Sequence, residues 1–126
     1  MKKRYTYAQF DTDVQKLTRA LRPRTGRFDA IYGVPRGGLV LAVHLSHRLG
    51  KPLLLDPRRI GRRTLVVDDI ADSGATLAAL LKHRPRFNIV TLYRTAHAKA
   101  RPDLSCRIKK EGDWVVFPWE TGKSSR

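Results

Sequence analysis

Val66-Val67-Asp68-Asp69-Ile70-Ala71-Asp72-Ser73-Gly74-Ala75-Thr76 reads as a buried strand, a pair of acids, and a small-residue turn that opens a helix. Asp72 or Ser73 is the expected cap of that helix, which should run from 75 to about 83. Such a turn aims backbone N–H groups and the Ser73 and Thr76 hydroxyls at one point. The helix N-terminus adds partial positive charge, so a phosphate monoester fits there. Asp68 and Asp69, at the strand end, can accept from sugar hydroxyls or hold a metal. Phosphate on one side and a diol or metal on the other describe a phosphorylated sugar. A capped helix with solvated acids is the bland reading of the same pattern.

Upstream, an apolar strand over 30–34 runs into Gly33-Val34-Pro35-Arg36-Gly37-Gly38, and a largely apolar helix follows over 39–49, closed by Gly50. The 33–38 loop permits a tight turn with exposed N–H groups, into which Arg36 points a guanidinium: an anion nest. An ordinary Gly-Gly turn is the competing reading. Phe10, Val14, Leu17 and Leu21 form one stripe of an amphipathic helix over 8–21, stopped by Pro23. Further strands are expected at 53–55, 64–68 and 89–93, with weaker candidates at 106–108 and 115–117. Strands and helices in alternation give an α/β fold, a single domain over 1–126 with a mostly parallel sheet flanked by helices. Ligands of such sheets lie beyond the carboxyl ends of the strands, where both loops fall.

Composition narrows the function. At 126 residues, 41% hydrophobic and 29% charged, the chain suits one soluble domain. No apolar run is long enough for a membrane span, and the basic start lacks the apolar stretch of a secretory signal. One cysteine, Cys106, excludes an internal disulfide and a cysteine-built zinc site, and an intracellular, cytoplasmic setting is expected. His44 and His47 share a helical spacing, but a surface or core role is expected rather than metal binding. The net charge of +15 attracts polyanions. Against that background three of the eleven acids, Asp68, Asp69 and Asp72, fall within five residues, which asks for a cation or hydroxyl groups as partners. Neither a Walker A motif nor a G-x-G-x-x-G is present, so nucleotide hydrolysis and dinucleotide redox chemistry are disfavoured.

The 65–76 stretch resembles the phosphoribosyl-diphosphate signature of type I phosphoribosyltransferases. Gly33 to Gly38 is similar to their diphosphate loop. Trp114 with Val115-Val116-Phe117-Pro118-Trp119-Glu120 resembles the C-terminal base-binding hood of the bacterial xanthine-guanine enzymes. The resemblance implies transfer of a phosphoribosyl group from phosphoribosyl diphosphate to a purine base, a 6-oxopurine by the hood, with Mg²⁺ and as a homodimer. It makes Asp68 and Asp69 the holders of the ribose hydroxyls and of Mg²⁺-bound water, and Asp72 the acid/base near the purine imidazole edge. Ser73, Gly74, Ala75 and Thr76 would cradle the 5′-phosphate, and Arg36 and Gly37 would take the diphosphate. Trp114 would stack on the base, with Val115 backbone groups reading its edge. Core packing is the alternative for Trp114 and for Trp119, and Glu120 would join the metal shell or cap the hood.

Three departures stand out. The family's long lid is reduced to 56–63, which carries Arg58, Arg59, Arg62 and Arg63 as fixed charges for a departing diphosphate. Arg94-Thr95 replaces the purine-reading lysine, and Ala75 replaces a glycine. Two other readings compete: a non-catalytic sensor of phosphoribosyl diphosphate or a nucleotide, and an RNA-binding regulator, for which no motif speaks.

Overall fold

A computed structural model describes residues 1–71, 75–80, 88–96 and 102–121. The chain runs through β1 (Lys2–Arg4), α1 (Tyr7–Leu21), β2 (Ala30–Gly33), α2 (Gly37–Leu49), β3 (Leu53–Leu54), β4 (Thr64–Ala71), α3 (Ala75–Leu80), β5 (Asn88–Arg94), β6 (Leu104–Ile108) and β7 (Trp114–Val116). Five strands form one all-parallel sheet in the order β3-β2-β4-β5-β6. This is the expected α/β class.

Helix α1 starts on a reciprocal cap: the Thr6 hydroxyl accepts from the Gln9 N–H at 3.1 Å, and the Gln9 side chain accepts from the Thr6 N–H at 2.8 Å. Its Phe10, Val14, Leu17 and Leu21 stripe is buried as expected, and Pro23 sits in the first turn of a 3₁₀ segment, Arg22–Arg27, that ends the helix. Helix α2 stops at Gly50, whose φ of 67° is the left-handed closure that glycine adopts without strain.

Several boundaries differ from the sequence reading. β4 continues to Ala71, so the two acids lie inside the strand rather than at its end. α2 begins at Gly37, so Gly37 and Gly38 are its first turn. β1, three exposed basic residues without any apolar signal, was not expected at all. It pairs in parallel with β7 as a separate two-stranded sheet, the hood, with Lys3 opposite Val115.

The hood is tied down by a buried carboxylate. Asp13 on α1 is 1% exposed; it accepts from the Tyr5 hydroxyl at 2.6 Å and from the Arg107 guanidinium at 2.8 and 3.3 Å. Burial, and then the bond to Asp13, push the Tyr5 phenol far above its ordinary range. Tyr5 also meets Tyr93 and Phe117 edge-on, each at 5.5 Å, which closes the core beneath the hood. Asp13→Ala would leave the Tyr5 hydroxyl and Arg107 without this acceptor. It should cost about 2–4 kcal/mol in denaturant unfolding, whereas exposed Asp11→Ala should stay within about 0.5 kcal/mol.

Cys106 lies beside the same carboxylate. Burial, reinforced by Asp13, pushes its thiol up to about 12 from 9.0. A thiolate-selective reagent at pH 8 should therefore react on the order of a thousandfold more slowly with the native chain than with the urea-unfolded one. Native and unfolded rates within tenfold of each other would contradict that burial.

Candidate active site

The 33–38 segment meets the strand that bears the two acids because α2 presses its first turn onto β4. The Val34 N–H donates to the Val67 carbonyl at 2.8 Å, carrying the β2 loop over the neighbouring strand. A Cβ on Gly38 would stand 2.5 Å from the Val67 carbonyl oxygen and 2.9 Å from the Asp68 Cα. A Cβ on Gly37 would overlap the Asp69 carboxylate. Glycine is required here for close approach. Arg36 caps α2 from an exposed position, after a cis Pro35–Arg36 peptide.

Strand alternation separates the two acids. Val67 packs with Leu41, Ala42 and Leu45 of α2, whereas Val66 belongs to a second cluster with Tyr32, Ile60 and Ile89. Asp69 takes the Val67 side, is fully buried, and lies against Gly37. Asp68 takes the other side at 8% exposure, and its Oδ1 accepts from the Asp69 N–H at 2.8 Å. They are neighbours in sequence but not a side-by-side carboxylate pair.

Asp72, Ser73 and Gly74 lie outside the described residues. Ala75 opens α3 and is exposed; Thr76 is in its first turn, with no side chain described. Thr95 is 8% exposed, and its N–H donates to the Ala71 carbonyl at 3.1 Å, so the position replacing the family lysine adjoins the end of β4.

In the hood, Trp114 is 44% exposed and its N–H donates to the Met1 carbonyl at 3.0 Å; Val115 is a core residue. Trp119 packs partly buried against the core, stacked on Phe117 at 5.1 Å and edge-on to Phe10 at 5.2 Å. The Glu120 carboxylate accepts from the Phe117 N–H at 3.0 Å, which makes it a cap of the hood turn. His44 packs edge-on against Phe10 at 5.0 Å. The arginine loop is partly committed elsewhere. Arg58 pairs with Asp56 at 3.0 Å and holds that carboxyl below its usual range. Arg63 pairs with Asp29 at 2.8 Å just before β4 begins, at the sheet end opposite the loops. Arg63 thus lies away from the 33–38 segment and the two acids. Missed by the sequence reading were Asp13, Tyr5 and Arg107; a charged residue in the middle of an amphipathic helix carries no mark of burial.

Residues 54–126 match the phosphoribosyl transferase domain. The chain belongs to that family. It is similar to the xanthine-guanine phosphoribosyltransferase of Gluconobacter oxydans, at 27% identity over 92% of this chain and 83% of that one. Among solved structures, it resembles a purine phosphoribosyltransferase from Pyrococcus horikoshii, at 29% identity and a TM-score of 0.82 over 99% of this chain and 98% of that one. A xanthine-guanine-hypoxanthine phosphoribosyltransferase from Helicobacter pylori follows at 27% and 0.78, covering 95% and 94%. The type I phosphoribosyltransferase fold expected from the sequence is thus the fold observed.

Gly38→Ala should lower stability by about 1–3 kcal/mol, because the methyl meets β4 backbone that cannot move aside. Gly37→Ala should displace the Asp69 carboxylate. Gly26→Ala, which meets nothing within 4 Å, is the neutral control. Thermal unfolding of the three variants measures the difference.

Proposed function

We propose that the protein transfers the 5-phosphoribosyl group of phosphoribosyl diphosphate to a purine base, a 6-oxopurine by preference, and releases diphosphate. The carrying observation is the seating of the α2 first turn on Asp69 and β4, where the Gly33 to Gly38 segment meets the strand that bears the two acids. The names of the relatives support a purine acceptor, and favour turnover over a non-catalytic sensor or an RNA-binding regulator.

In this reading 1–126 is one phosphoribosyltransferase domain. Departure of diphosphate concentrates negative charge on the leaving oxygens, so the chain works by positioning and electrostatic stabilisation. Arg36 and the Gly37 N–H receive the diphosphate. Asp68 holds ribose hydroxyls, and Asp69 orients the diphosphate loop as well as the ribose side. Asp72 moves the proton at the purine imidazole edge, and Ser73, Gly74, Ala75 and Thr76 hold the 5′-phosphate. Trp114 covers the base, and Val115 backbone groups read its edge.

Asp68 and Asp69 carry hard carboxylate oxygens, the donor chemistry Mg²⁺ takes. Because they lie on opposite faces of β4, one ion would meet one of them directly and keep its waters and substrate oxygens for its other positions. When bound, it would neutralise charge on the diphosphate. No helix among the described residues is long and apolar enough to cross a membrane; the reading takes the protein as cytoplasmic and homodimeric.

The test is an assay of diphosphate release with guanine, hypoxanthine, xanthine and adenine, with and without Mg²⁺. Transfer to a 6-oxopurine, lost on chelation, is expected. Asp68→Asn with Asp69→Asn should reduce turnover at least about a hundredfold with the fold retained. No nucleotide from any purine over hours would refute the reading.

A further inference from the structure

A cavity of about 330 Å³ opens between β1, β6 and the segment joining β6 to β7. Five basic side chains line it, Lys3, Arg4, Arg107, Lys109 and Lys110, beside a single carboxylate, Asp113. It shares Val115 with the proposed transfer site and none of the residues of the two loops.

The nearby acids are already engaged. Asp113 lies 3.6 Å from the chain's amino terminus and 3.8 Å from Lys3, and Asp13 holds Arg107 from beneath. Lys109, one of the lining residues, is only 8% exposed, and its N–H donates to the Arg94 carbonyl at 2.8 Å. Arg4 and Lys110 are exposed at the rim.

We propose that this cavity is a second anion site, which takes a small oligophosphate of two or more linked phosphates. Its volume is that of a small-molecule site. Five basic groups, two of them already facing the carboxylates Asp113 and Asp13, leave the lining net positive, which suits a compact polyvalent anion such as linked phosphates rather than a monovalent ion. Single-stranded nucleic acid would need an open aromatic face to stack on. Tyr93, the aromatic ring in the wall, is 8% exposed and packed edge-on against Tyr5 and Phe117.

Inorganic triphosphate titrated into the full chain, followed by backbone amide shifts, tests the assignment. Saturable shifts at Arg4, Lys109 and Lys110 are expected, separate from those at Gly37 and Gly38, which report on the transfer site and on that reading alone. Arg4→Gln with Lys110→Gln should weaken the first set about tenfold or more and leave the second within about twofold. Arg19→Gln with Arg48→Gln, exposed and outside the cavity, should change neither. Three results would overturn the proposal: no shift at the first set at millimolar triphosphate, equal weakening in the control pair, or displacement of triphosphate from these amides by a single-stranded oligonucleotide at equal phosphate concentration.

Discussion

The first turn of α2 lies so close to β4 that no side chain beyond hydrogen fits between them, and the architecture of the candidate site depends on that approach. Gly38 rests on the Val67 carbonyl and Asp68 Cα, Gly37 on the Asp69 carboxylate. Gly33 completes the contact from β2, where a Cβ would stand 2.7 Å from the Ala42 Cβ and 2.8 Å from the Gly38 carbonyl. Three glycines within six residues thus let a helix N-terminus lie directly against a strand carrying two acids. The entropic cost of flexible glycine in a helix is offset by backbone packing.

A second constraint is electrostatic. In a chain of +15, acids have cations to choose from, and four of the described ones are paired with a basic side chain. Asp13 holds Arg107, Asp29 holds Arg63, Asp56 holds Arg58, and Asp113 faces Lys3. The buried Asp13 matters most, since it joins α1, β6 and the residue that follows β1. Its two acceptor oxygens hold the hood over the sheet, while the exposed pairs contribute little. Asp68 and Asp69 are arranged differently: they sit in the central strand just past the end of the β2 ladder at Val67, where β5 supplies the pairing, with Asp68 opposite Thr91.

The alternation of strands and helices, the α1 stripe and the Gly50 stop were legible from residue pattern alone, because periodicity and glycine chemistry act locally. So was the approach of the 33–38 segment to the strand bearing the two acids, which follows from a parallel sheet that places both toward its carboxyl end. The limits of β4 were not. Asp68, Asp69 and Ile70 continue the strand because β5 supplies ladder partners through Arg94, and that support comes from residues more than twenty positions away. Lys2, Lys3 and Arg4 form a strand for the same reason, with β7 providing the partner that their own composition would not suggest.

By itself the sequence determined the fold class and the family resemblance, since these rest on local propensity and on motifs with their own chemistry. Tertiary structure alone decided which face each acid takes, that Arg63 is paired at the far end of the sheet, that Trp119 packs partly buried against the core, and that Asp13 locks the hood. It also gathered Lys3, Arg4, Arg107, Lys109 and Lys110 around one cavity from opposite ends of the chain. Burial and ion pairing depend on what lies opposite a side chain in space, and a linear pattern holds no record of that partner until the strands have paired.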